Sequence, residues 1–249
     1  MIDSHCHLDH CDAPVAELIE RARAAGVTRL ATVGIDAAST DFAVAAAREH
    51  EGVFAIVGRH PQSATGFGDG DAHAVERAAA DPVVRAIGET GLDYYRDYSP
   101  REDQRRAFEA QVDLARRLEL PLVIHTRAAE DDTFAILRDR AAGLTVVLHC
   151  FSAPDRLAEC VERGYVCSFA GNVTYPKATD LQAAARDVPD ALLMVETDSP
   201  YLSPQPMRGK RNEPANVVAT ARHVADLRGA SYEQLEAAVE STAARVFGW

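Results

Sequence analysis

At 249 residues, with 47% apolar and 26% charged side chains, the chain has the composition of a soluble globular protein and the length of one α/β barrel. A formal net charge of −12 excludes a broad basic surface for wrapping duplex DNA. No apolar run reaches bilayer length and no basic-then-apolar leader opens the chain, so no membrane partner and a cytoplasmic location are expected.

The first expected strand, 2–7, carries His5-Cys6-His7. Side chains alternate along a strand, so His5 and His7 share a face and Cys6 points away. A helical pattern follows near 14–25, then a strand at 29–35, a helix near 40–50 and a strand at 53–57. The next units pair a helix near 72–80 with a strand at 83–89, and a helix over 102–118 with a strand at 122–126. Ser99-Pro100-Arg101-Glu102 reads as a helix start with Ser99 as the cap; Asp71 and Ser231 read as caps too. Helices near 130–141, 154–163 and 177–187 alternate with strands at 145–149, 165–169 and 192–197. A proline-marked loop, a helical region over 214–228 and an extra helix over 232–247 complete the chain.

Runs such as Leu122-Val123-Ile124 and Val146-Val147-Leu148 are apolar on both faces, as parallel strands covered on both sides require. Eight strand–helix units predict a single domain over 1–249, a (β/α)8 TIM barrel with an additional C-terminal helix. An open doubly wound sheet is the alternative, disfavoured because no GxGxxG follows the first strand. Five scattered cysteines with no CxxC spacing fit a reducing compartment.

In a barrel the active site lies at the C-terminal strand ends. His5, His7, Glu89, His125, His149 and Asp198 all fall at such ends. Imidazoles with carboxylates form a donor set for Zn, Mn, Co, Ni or Fe, with Mg possible. Six ligands exceed one tetrahedral ion, so two divalent ions are expected (Mg, Mn or Zn). His5, His7 and Asp198 with Glu89 are assigned to one ion, His125 and His149 with the shared Glu89 to the other. Ions about 3.5–4 Å apart share a hydroxide at neutral pH and clamp an in-line displacement at phosphorus. The other histidines, His10, His50, His73 and His223, read as solvated.

Six stretches make the pattern recognisable: Asp3-Ser4-His5-Cys6-His7-Leu8, Gly88-Glu89-Thr90-Gly91-Leu92-Asp93-Tyr94-Tyr95, Ile124-His125-Thr126-Arg127, His149-Cys150-Phe151-Ser152, Glu196-Thr197-Asp198-Ser199-Pro200 and Lys210-Arg211-Asn212-Glu213-Pro214. Together they resemble the TatD family of metal-dependent deoxyribonucleases over nearly the whole chain. The resemblance implies a TIM barrel of the amidohydrolase superfamily, divalent metals and hydrolysis of DNA phosphodiesters, often from the 3′ end. Its metal ligands fall on the same six residues. One stretch departs: where the family has Gly-x-His-Pro-His, this chain reads Gly58-Arg59-His60-Pro61-Gln62. Gln62 donates hydrogen bonds but carries no charge, which leaves Arg59 either to supply one or to face solvent.

The expected reaction is cleavage of single-stranded DNA ends by a metal-activated bridging hydroxide, with Asp198 and Glu89 as catalytic residues and Asp198 taking the proton. His60, Arg127, Lys177, Arg208, Lys210 and Arg211 are the candidate phosphate contacts, and Tyr94, Tyr95 and Tyr175 the candidate base contacts. No obligate protein partner is evident, so a monomer is expected. The competing readings are an amidohydrolase-type reaction on an amide, ester or phosphoester small molecule, and a non-catalytic binding protein on the same barrel.

Overall fold

The computed structural model of the protein describes Met1–Gly248; Trp249 lies outside the described residues. Its strands are β1 (Ile2–Cys6), β2 (Arg29–Gly34), β3 (Val53–Val57), β4 (Val84–Asp93), β5 (Leu122–Arg127), β6 (Val146–Leu148), β7 (Val166–Phe169) and β8 (Leu193–Val195). They form one sheet in the order β1 to β8. A helix follows each strand in turn: α1 (Val15–Ala24), α2 (Ala37–Glu49), α3 (Asp69–Ala79), α4 (Arg101–Leu118), α5 (Glu130–Arg140), α6 (Leu157–Arg163), α7 (Thr179–Asp187) and α8 (Val217–Arg228). The chain closes with α9 (Tyr232–Phe247), the additional C-terminal helix. This is the (β/α)8 TIM-barrel topology expected from the alternating pattern.

Two compact units are distinguished within the fold. One comprises Met1–Thr32, His50–Val53 and the chain from His149 onward; the other comprises Val33–Glu49 and Phe54–Leu148.

In the first unit β1 pairs with β2 in parallel, Ile2 opposite Arg29 and Asp3 opposite Leu30. Asp3 is fully buried and accepts hydrogen bonds from Thr197 N (2.8 Å) and Thr197 Oγ1 (2.5 Å). Those bonds tie the start of β1 to the segment after β8 and offset part of the cost of burying a carboxyl. Burial still dominates and pushes the Asp3 carboxyl up to about 8. Ser231 caps α9 as expected: Gln234 N donates to Ser231 Oγ (3.2 Å), and Ser231 N donates to Gln234 Oε1 (2.9 Å).

In the second unit β5 is buried at Leu122, Val123 and Ile124, on both faces as its sequence demands. Helix α4 turns Ala107, Phe108, Val112 and Ala115 inward. It carries Glu102 and Asp103 in its first turn and Arg116 and Arg117 in its last, the charge order that its dipole favours. Strand β4 runs to Asp93, past the expected end at Glu89. Gly91 permits that extension beside β5, because a Cβ there would lie 1.9 Å from the His125 carbonyl oxygen.

Two expected caps are corrected. Pro100, not Ser99, holds the N-cap position of α4. Ser99 Oγ instead donates to Gln62 O (3.0 Å) and accepts from Thr65 N (3.1 Å), bracing the loop after β3. Asp71 lies inside the first turn of α3, where Oδ2 accepts from Gly68 N (3.0 Å).

Candidate metal centre

In the first unit, His5 and His7 leave β1 on one face, with Nε2 atoms 3.4 Å apart. The buried Cys6 thiol points the other way, toward Ala31 O (3.4 Å). His149 follows β6, and its ring stacks on His5 with centroids 3.9 Å apart. Asp198 Oδ1 lies 3.6 Å from His7 Nε2. Asp198 has a φ of 53°, a left-handed conformation that costs a non-glycine residue about 1–3 kcal/mol and that clusters at functional sites. Burial works to raise the Asp198 pKa; the hydrogen bond from His7 and the nearby His149 and His5 outweigh it and hold the carboxyl below its ordinary value.

Glu196 belongs to the same group. Its Oε1 lies 3.1 Å from His149 Nδ1 and accepts from Cys150 N at 2.8 Å. A carboxylate behind an imidazole fixes the ring and leaves Nε2 to act as the ligand atom. Glu196 Oε2 is buried and has no hydrogen-bond partner. A buried carboxylate oxygen in this state, set among imidazoles, suits a neighbouring cation. His5, His149 and Glu196 each place a donor atom within 4.8 Å of the others. The donor set therefore fits a divalent metal of the N/O-preferring class.

In the second unit, Glu89 is almost fully buried between two imidazoles. Its Oε1 lies 2.8 Å from His125 Nδ1 and 3.2 Å from His60 Nε2. Gln62 N donates to His60 Nδ1 (3.1 Å), so the His60 proton sits on Nε2 and faces Glu89. His60 thus lies inside a group of ligand-type residues, whereas the sequence reading made it a phosphate contact alone. Asp93 Oδ2 lies 3.4 Å from His125 Nε2 and accepts from Gln62 Nε2 at 2.8 Å. Burial acts to raise Asp93, but the hydrogen bonds from His125, Arg96 N and Gln62 hold it far below the usual carboxylate range.

The model of the TatD related DNase family matches residues 2–248. The chain belongs to that family. A TatD protein from Mycobacterium tuberculosis (strain ATCC 25618 / H37Rv), described as an uncharacterized metal-dependent hydrolase, is 40% identical over 100% of this chain and 98% of its own. A 3′-5′ ssDNA/RNA exonuclease TatD from Cronobacter turicensis (strain DSM 18703 / CCUG 55852 / LMG 23827 / z3032) is 38% identical, covering 93% of this chain and 90% of its own. The crystal structure of the TatD homologue YJJV from Escherichia coli K12 superposes with a TM-score of 0.94 at 27% identity, covering 100% of this chain and 98% of that one. The chain is thus a TatD-family metal-dependent hydrolase.

Several other sites expected in this TatD-family chain have different surroundings. Arg59 neither faces open solvent nor stands alone: its guanidinium pairs with Asp71 Oδ1 (2.7 Å). Gln62 spends its amide on Asp93 rather than standing ready for substrate. Arg211 pairs with Asp12 Oδ2 (2.9 Å), and Arg208 lies over the Tyr175 ring at 3.8 Å. Lys177, Lys210 and Arg127 are exposed. His10, read from sequence as solvated, stacks on His7 with ring centroids 5.5 Å apart.

Sequence reasoning gave no role to Glu196 or Asp93. Strand parity carried a signal for Asp93 alone, which has the parity of Glu89 on β4.

Proposed function

We propose that this hydrolase is a nuclease that cleaves phosphodiester bonds of single-stranded DNA, acting as a 3′-5′ exonuclease on strand ends. The supporting observation is the first unit's donor set: three buried imidazoles and Asp198, with Glu196 behind His149. The Cronobacter relative's exonuclease activity on single strands supports the choice of substrate.

The proposed ligands are His5, His7, His149 and Asp198 of the first unit, with Glu89 and His125 of the second. Two divalent ions (Mg, Mn or Zn), when bound, activate water and polarise the scissile phosphate. Asp198 is the proposed proton acceptor because its carboxylate stands among the proposed ligands, with Oδ1 3.6 Å from His7 Nε2. His60, with its proton on Nε2, orients the Glu89 carboxylate. Arg127, Lys177 and Lys210 are the exposed cations proposed for phosphate contact, with Arg208 and Arg211 held in place by Tyr175 and Asp12. The five free cysteines support a reducing, cytoplasmic setting. No helix among the described residues is long and apolar enough to cross a membrane.

End-labelled single-stranded DNA, incubated with metal-loaded protein with and without EDTA, tests the reading. Digestion is expected to stop on chelation, and Glu89→Gln should retain the fold while losing most activity. Undiminished digestion by fully metal-free protein would sink the proposal. Parallel assays on small amides and esters separate the nuclease from the other hydrolase reactions.

A further inference from the structure

We infer that Tyr95 and Tyr98, flanked by Arg96 and Arg127, form a stacking platform for unpaired bases of a nucleic-acid strand. The inference rests on the nuclease reading for its substrate and extends it to how the strand is held.

The loop after β4 exposes two large rings, Tyr95 at 64% and Tyr98 at 65% of their surface. Rings this open gain little from burial in the fold itself. They are nonetheless ordered by cations. The Arg127 guanidinium lies 4.0 Å from the Tyr95 centroid, and Arg96 lies 6.0 Å from Tyr95 and 5.9 Å from Tyr98. Guanidinium and ring alternate along the patch. That alternation matches a single strand, in which phosphates and base faces also alternate. In a duplex the base faces are already covered by their neighbours, so the rings would have nothing to stack on.

The platform is tied to the second unit's ligand group by one carboxylate. Asp93 Oδ1 accepts from Tyr95 N (3.0 Å) and Arg96 N (2.8 Å), while Oδ2 lies 3.4 Å from His125 Nε2. Arg127 stands two residues beyond His125 on β5 and shares its parity. A strand lying on the rings is therefore held next to Glu89 and His125.

Tyr94 is not part of the platform, although the sequence nominated it with Tyr95. Its ring is half-buried where that of Tyr95 is open, and its hydroxyl is engaged in donating to Asp132 Oδ2 (2.7 Å). The one acidic side chain within the loop, Asp97, pairs with Arg101 Nε (3.4 Å), which limits its repulsion of phosphate.

The test uses metal-free full-length protein and a short single-stranded oligonucleotide containing 2-aminopurine, read by fluorescence. Stacking should quench the probe on binding. Replacing both rings, as Tyr95→Leu with Tyr98→Leu, should weaken binding about tenfold or more and abolish the quench. Tyr95→Phe with Tyr98→Phe keeps the rings and should restore both, and thermal melts check that each variant is folded. Equal binding by the leucine and wild-type proteins overturns the platform, as does no binding by the wild type. Ring-dependent binding without any DNA hydrolysis by the metal-loaded enzyme would keep the platform and remove the nuclease reading.

Discussion

A single carboxylate can decide how an imidazole behaves, and the pair Glu196–His149 does so here. Glu196 is fully buried, and its contact with His149 Nδ1 selects Nε2 as the ring's outward donor. Glu196→Gln preserves size and one hydrogen bond but removes the charge. The variant is expected to keep its fold and lose about 10–100-fold in metal affinity. Equilibrium metal titration, followed beside a thermal melt, reads both quantities; unchanged affinity would mean that Glu196 only packs. The sequence quoted Glu196 within a motif yet gave it no task, since nothing in a one-dimensional pattern says that a residue after β8 will face a histidine after β6. His5 and His7 were legible because two-residue spacing on a strand is a local matter.

Elements were read well where their rule is local. Among the described residues the eight strands and nine α-helices fall within a few residues of their expected positions, and Ser231 caps α9 as its spacing with Gln234 requires. Ser99 failed as a cap because its hydroxyl found Gln62 O and Thr65 N, partners that only folding brings near. The start of α2 offers a measurable case. Asp36 Oδ1 accepts from Ser39 N (2.9 Å) and from Ser39 Oγ (2.7 Å). The backbone bond from Ser39 holds the Asp36 carboxyl below its ordinary pKa, against a smaller opposing effect of burial. A carboxyl depressed on folding stabilises the protein above its unfolded pKa near 4, and that contribution disappears as pH falls through the lower folded value. Asp36→Ala should therefore cost about 1 kcal/mol at pH 7 and much less near pH 3. Urea melts of metal-free wild type and variant at the two pH values give the difference; a cost independent of pH would show that the carboxylate charge contributes nothing.

At the scale of the molecule, a net charge of −12 constrains how nucleic acid is approached. The exposed cations named above are few, and Arg59 and Arg211 are already matched by Asp71 and Asp12. Binding through two or three phosphates gives a plot of log K against log salt with a slope between about −1.4 and about −2.1 for a single strand. A slope several times steeper, measured by oligonucleotide titration across a salt series, would require an extended phosphate track that this charge distribution does not offer.

The sequence by itself determined the strand–helix order, the barrel topology, the TatD resemblance and the ligand-type residues at strand ends. Each follows from periodicity or from motifs a few residues long. Tertiary structure alone decided which carboxylate stands behind which imidazole, that Asp93 joins His125 to the tyrosine loop, and that Arg59 and Arg211 are neutralised by partners. These are contacts between residues far apart in the chain, fixed by packing geometry and by the need to satisfy buried polar groups, and no local pattern encodes them.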